Sequence, residues 1–323
     1  MRIDGLQCGH FNRQAFEELR AGGLGCVTNT IAVWENASET MAAIGRWRHL
    51  ARENADLVTI ARTTADIEAA DASGRTAVLL GTQNSSPIED RIDFVELFHD
   101  MGLRVMQLTY NIQNALGSSC YEPEDSGLTR FGRNVIAEMN RVGMVVDLSH
   151  VGDRTSYDAI LASQRPVAIN HANPRELFDH ARNKRPEVLD ALAEHDGVLG
   201  LSMYPNIAGP YADTLDKWCE LVARTAERIG VRHVGVGSDL GRFMTMTDLD
   251  WMRRGRWTHG PEYGAGSPDR PGMVEDPEWF TTSADFAAIP GALRAAGFSA
   301  EETEALCGGN WLRLYREVID LTS

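Results

Sequence analysis

Basic charge is scarce in this chain: 31 Lys and Arg stand against 46 Asp and Glu, a formal net charge of −15. That balance excludes a nucleic-acid footprint, because a phosphate backbone wants clustered Lys and Arg. Long apolar runs are absent too, and nothing approaches the roughly 18 residues that would span a bilayer, so no membrane contact is expected. Cysteine is sparse: Cys8, Cys26, Cys120, Cys219 and Cys307 are odd in number, widely scattered and without a CxxC pair. This argues against a disulfide framework and against a structural zinc ribbon. The opening Met1-Arg2-Ile3-Asp4-Gly5 shows no charged segment followed by an apolar one, so a secretory leader is not expected and a reducing cytoplasm is.

What is present is an alternation. Short strand-like apolar runs occur near Ile3 and over 25–30, 77–81, 105–109, 144–148, 166–170, 198–202 and 233–237. Most are continuously apolar, as strands buried on both faces are. Amphipathic helical stretches fall at 38–54, 90–101, 131–142, 154–163, 215–229, 300–306 and 310–321. Eight such alternations predict either a closed (β/α)8 TIM barrel or a doubly wound open sheet. The open sheet wants a Gly-rich phosphate turn after an early strand. Gly22-Gly23-Leu24-Gly25 precedes its strand instead, and no GxxxxGK[ST] exists. The barrel wants functional residues just past strand C-termini, and they are there. The expectation is one (β/α)8 barrel domain over 1–323, with a long Gly-, Pro- and Trp-rich active-site loop at about 242–284.

The fifth run ends Asp147-Leu148-Ser149-His150 and the sixth Asn170-His171. Two neutral imidazoles on neighbouring parallel strand ends can converge on one metal ion. The plainer alternative is that each caps its strand. Asp239, closing the last run, could ligate the metal or take a proton from water, or merely cap the next segment. Asp147 reads as a buried, hydrogen-bonded group. In the polar loop 179–186, Arg182 could fork onto a substrate carboxylate, with Asn183 beside it, whereas Lys184 and Arg185 read as solvated charges. Tyr110, Asn111 and Asn114 supply neutral polar groups at the same rim.

These residues resemble the membrane (renal) dipeptidase family of metal-dependent (β/α)8 hydrolases. The likeness runs through Gly102-Leu103-Arg104-Val105, Gly127-Leu128-Thr129, Asp147-Leu148-Ser149-His150, Asn170-His171, Arg182-Asn183, Gly235-Val236-Gly237-Ser238-Asp239 and Gly308-Gly309-Asn310-Trp311. It implies a two-zinc dipeptidase site in which His150 and His171 ligate the second zinc. It also implies that Asp239 manages the proton and that Arg182 clamps the substrate's C-terminal carboxylate. The family's first strand ends in a His-x-Asp pair, but here the aligned residues are Leu6, Gln7 and Cys8. Its bridging glutamate is Gln83, and its substrate-facing histidine is Tyr110. A neutral amide oxygen cannot bridge two dications as a carboxylate does, so one zinc ion is expected rather than two. Cys8, Gln83, His10 or His259 are the candidate replacement ligands.

The expected function is a metal-dependent hydrolase of a small amide, most simply a dipeptide, through a metal-activated water. A lactam or an N-acyl amino acid is an alternative substrate. A barrel that has lost its chemistry and serves as a binding protein is the alternative class, and a single-metal lyase or isomerase is a third. A homodimer is possible, with Trp218 or Trp251 in its seam.

Overall fold

The structure, a computed structural model, describes residues 1–256 and 275–320. Its strands are β1 (Arg2–Gly9), β2 (Leu24–Ala32), β3 (Val58–Ile60), β4 (Thr76–Thr82), β5 (Leu103–Gln107), β6 (Val145–Asp147), β7 (Ala168–Ala172), β8 (Val198–Leu201), β9 (Val234–Val236) and β10 (Leu240–Arg242). All pair in parallel, in the order β10-β1-β2-β4-β5-β6-β7-β8-β9, and β1 pairs β9 through Asp4 and Val236 to close the ring. The eight-stranded barrel is therefore as expected, and helices flank it. The strands are buried almost throughout, as β4 and β5 show at every position, because helices cover the outside and side chains fill the inside.

The helices are set by local chemistry. The helix Arg130–Val142 opens on the Thr129 side chain, which accepts from the Gly132 N–H, and stops at Gly143 in the left-handed region (φ 84). Between them Val135, Ile136, Met139 and Val142 form one buried stripe.

Three features differ from the sequence expectation. β3 is an additional strand that pairs only with β4, outside the barrel. The stretch read as a loop from 242 onward begins with β10 and the helix Met246–Arg254, started by a capping box between Thr245 and Asp248. Trp218 is not an exposed seam residue. It is 1 % exposed, because it lies on the inner stripe of Leu215–Ile229 with Leu221, Val222 and Thr225, and it packs against Trp279. Trp251 is half-buried and donates to Glu35 at 2.9 Å. No helix among the described residues is long and apolar enough to cross a membrane.

The lower part of the barrel interior is filled by the C-terminal helix Asn310–Val318. Trp311 is fully buried, donates from its indole to the Val236 carbonyl at 2.9 Å, and joins Ile3, Cys26, Leu79, Val145 and Val198 in an inner core. It fits because β1, β8 and β9 carry glycine where they face it. A Cβ on Gly5 or Gly235 would lie 2.5 Å from the indole. With this end filled, the remaining opening is at the strand C-termini, where the candidate residues lie.

Candidate active site

The sequence Val145-Val146-Asp147 gives β6, and the chain leaves it through Leu148 and Ser149 to His150. On the next strand, β7, His171 is itself a strand residue. Both histidines are buried, and their Nε2 atoms lie 3.0 Å apart. Their other ring nitrogens are held by amide oxygens: His150 Nδ1 by Asn111 Oδ1 at 2.6 Å, and His171 Nδ1 by Asn170 Oδ1 at 2.5 Å. An amide oxygen only accepts, so this pairing assigns the ring hydrogen to Nδ1 in each case. Both rings are kept neutral, first by burial and then by the Arg182 and Lys184 charges, which push their pKa values well down. Two Nε2 lone pairs are thus left facing one another. Tyr110 lies against His150 with ring centroids 4.1 Å apart and is braced edge-on by Trp34.

The supports beneath the pair are buried polar groups. Asp147 accepts from the Ser149 N–H, the Ser149 hydroxyl and the Asn170 N–H at 3.2, 2.7 and 2.9 Å, and burial pushes its carboxyl up to about 6. It is the buried, hydrogen-bonded group expected. Arg182, 3 % exposed, donates to the carbonyls of Ser149 (2.5 Å) and His171 (3.1 Å), and so grips both histidine-bearing turns while lining the pocket. Lys184 is not the solvated charge its loop suggests. It is 1 % exposed and donates to the Val151 carbonyl at 2.5 Å and to the Ser156 hydroxyl at 3.2 Å, with burial pushing its pKa down to about 8. Arg185 is exposed, as expected. Asn183 does not line the pocket: its amide donates to the Phe178 and Ile207 carbonyls, and its oxygen accepts from the Asn173 N–H.

Across the pocket, Asp239 sits between β9 and β10 in the left-handed region (φ 62), a costly conformation that the surrounding structure must hold in place. Its neighbour Ser238 is tied by backbone N–H and hydroxyl to the buried Asp4, at 2.8 and 2.6 Å. Burial pushes the Asp239 carboxyl up to about 7, against the lowering pull of Arg182 and with Asp4 and Asp276 adding to the rise. The pocket encloses about 110 Å³. Its lining includes Tyr110, Tyr121, Tyr204, Met244, Leu249 and Met252 as well as His150, Arg182, Asp239 and Asp276. Asp4, Tyr121, Tyr204 and Asp276 were not singled out in the sequence.

Among the described residues, the positions that match the first half of the family's metal site carry no ionised donor. Leu6 is buried. Cys8 packs its sulfur 3.5 Å from Met244 Sδ, and burial with the nearby Asp239 charge pushes its thiol well up. Gln83 donates its amide to Thr30 at 2.9 Å. His10 stands at the surface against Asp248, and His259 lies outside the described residues. Among the described residues no three His, Cys, Asp or Glu side chains form a ready metal cage. His150 and His171 are thus the donors that a metal ion could use here, and among the described residues no third His, Cys, Asp or Glu completes a cage with them.

A profile of the membrane dipeptidase family, peptidase family M19, matches residues 8–253. The chain belongs to this family. It is 32 % identical to dipeptidase verJ of Clonostachys rogersoniana over 222 residues, which are 68 % of this chain and 57 % of that protein. Family member and relative differ in extent: the chain spans little more than half of verJ. A crystal structure of an amidohydrolase from Pseudomonas aeruginosa superposes with a TM-score of 0.92 at 34 % identity, covering 99 % of this chain and 97 % of that one. A metallopeptidase from Rhodobacter sphaeroides, solved with a phosphinate mimic of the dipeptide L-Ala-D-Ala, shares the fold at TM-score 0.80 and 18 % identity, covering 98 % and 99 % of the two chains.

Proposed function

We propose that the chain is a dipeptidase-like hydrolase that works with a single zinc ion. The observation that carries this reading is the pair of neutral imidazoles whose Nδ1 atoms are both occupied and whose Nε2 lone pairs meet at 3.0 Å. Two facing lone pairs repel, and a cation between them removes the repulsion. His150 and His171 would hold the ion, which when bound lowers the pKa of water toward about 7 and polarises a carbonyl.

The chain's own residues supply the rest. Asp239, with its carboxyl near 7, suits a group that takes a proton from the attacking water and returns it to the leaving amine. Arg182 keeps further N–H donors beyond the two it spends on carbonyls, and these can fork onto a substrate carboxylate. Tyr110 and the wall of Met244, Leu249 and Met252 exclude water around the scissile amide.

Metal content per chain, measured on protein purified without added metal, tests this reading together with dipeptide turnover. About one zinc per chain with turnover is expected, and about two would show that the first site has been rebuilt. No metal after zinc addition would favour the second reading, a barrel retired to binding, which the neutral Leu6, Cys8 and Gln83 support.

A further inference from the structure

A substrate held by its carboxylate on Arg182 directs its other end across the barrel. Arg182 binds the carbonyls of Ser149, just after β6, and of His171 in β7. Round the eight-stranded ring β6 stands four strands from β1 in either direction, so β1 lies opposite. The pocket wall on that side is Cys8 of β1, with Met244 packed on its sulfur at 3.5 Å and Gln83 just after β4. It presents a thiol, a thioether and an amide.

That wall has a second cavity behind it. Cys8, Met244 and Met252 line the catalytic pocket on one side and a groove of about 530 Å³ on the other. Among the described residues the groove's inner surface is Phe11, Ile31, Ala32, Val33, Trp47 and Leu50, from the ends of β1 and β2 and from the helix Ala37–Glu53. The Phe11 and Trp47 rings meet there at 5.4 Å. Glu35, which also lines the groove, spends its oxygens on the Val33 and Trp34 N–H groups at 2.6 and 3.1 Å and on the Trp251 indole at 2.9 Å. Arg46, His10 and His49 are at the exposed rim, the two histidines against Asp248 and Glu53 at 3.0 and 3.2 Å. The partition can yield, because methionine is unbranched and turns about three bonds. An apolar chain that passes it leaves water, which is worth about 0.8 kcal/mol for each buried CH₂.

We propose that this groove receives a large apolar acyl group, so that the substrate is an amide joining such a group to an amino acid whose carboxylate sits on Arg182. This rests on the hydrolase reading above for its scissile amide. The amide lies by His150, and the acyl group runs past Cys8 and Met244 to Phe11 and Trp47. Hydrolysis adds one water across the amide and releases the apolar carboxylic acid and the free amino acid. The groove residues select the substrate and take no part in the bond cleavage.

The test uses N-acetyl-, N-hexanoyl- and N-decanoylalanine, and alanylalanine beside phenylalanylalanine, on the full-length zinc-loaded protein. The expected kcat/KM rises about 4-fold for each CH₂ that enters the groove, the rate equivalent of that burial. A gain along the N-acyl series assigns a fatty chain, and a gain confined to phenylalanylalanine assigns an apolar residue. No gain in either overturns the proposal. Ile31→Trp fills the groove and Leu50→Glu puts a charge in it, so two unlike changes probe the same surface. Each should lower the ratio of kcat/KM for the long substrate over the short one by about 10-fold or more. A ratio unchanged in both folded variants places the gain elsewhere and overturns the proposal.

Calorimetric binding of the same compounds to metal-free protein keeps the two readings apart. Binding that tightens with apolar length and weakens about 10-fold in Ile31→Trp or Leu50→Glu, without turnover of any compound by the zinc-loaded parent, upholds the groove and removes the hydrolase reading. Turnover with neither binding nor kcat/KM sensitive to apolar length removes the groove alone. Compounds that are neither bound nor turned over remove both.

Discussion

His150 and His171 face one another Nε2 to Nε2 across 3.0 Å, each turned so by an asparagine oxygen on its Nδ1. The two asparagines thus decide which nitrogen each imidazole presents. Asn111 follows Tyr110 after β5, and Asn170 lies in β7 beside His171, so neighbouring strand ends supply both the donors and the groups that orient them.

If this pair holds the ion, the double variant His150→Ala/His171→Ala should lose its zinc while keeping the parent's far-ultraviolet circular dichroism. Plasma mass spectrometry of the purified variant is the check, and an unchanged metal content would remove the pair from the site. Asn111→Leu or Asn170→Leu should weaken zinc binding by about 10- to 100-fold without removing a ligand, since partners of ligating histidines are worth about that much.

Asp239→Asn should keep its zinc and fold and lose several orders of magnitude in turnover, because an amide cannot accept and return the proton. In the parent, the rate should rise with pH as the carboxyl ionises near 7. That limb should vanish from the residual activity of the variant. Near-parent turnover in Asp239→Asn would take it out of the mechanism.

Lys184 offers a clean pH test. Its pKa falls from 10.5 to about 8 on burial, so the unfolded chain holds this proton more tightly than the folded one. Stability from this group therefore rises as pH climbs from about 8 to 10.5, by up to about 3 kcal/mol at about 1.4 kcal/mol per pKa unit. Urea unfolding of the parent and of Lys184→Met at pH 7.5 and pH 10 should show the parent gaining on the variant. A constant difference would mean that Lys184 titrates normally.

Trp311→Ala should cost about 3–5 kcal/mol, the range for truncating a buried aromatic. Gly235→Ala should also destabilise, because its new methyl would meet the indole at 2.5 Å. Thermal denaturation of the two variants checks both. A parent-like melting temperature for Trp311→Ala would mean that the barrel end is filled by something else.

The barrel was legible because parallel strands covered on both faces must be continuously apolar, and such runs stand out at 77–81 and 144–148. β3 escaped because it has only three residues, two of them half-buried. Trp218 was legible in principle, since Trp218, Leu221, Val222 and Thr225 fall at helical spacing on one stripe; reading the residue alone hid this. Lys184 was not. A lysine in a polar loop looks solvated until the fold lays that loop back across Val151 and Ser156. His150, His171, Arg182 and Asp239 stood out by their places at or after strand ends; His150, Arg182 and Asp239 line the pocket, and His171 is buried with its Nε2 atom 3.0 Å from that of His150. Asp276 carried no local signal, because its place depends on how Trp279 and Phe280 dock far from it in sequence.

The seat of Trp311 also bears on the order in which this chain can mature. β1 is made before β9 and β10, which complete it, and the inner core closes only when residue 311 arrives. A growing chain therefore exposes the glycine-lined sides of β1, β8 and β9 until the helix Asn310–Val318 is synthesised. Barrel closure is a late, long-range event, slow by the cost of joining distant segments. Chains ending before about residue 310 should leave the ribosome unable to finish the fold and prone to associate through that open end.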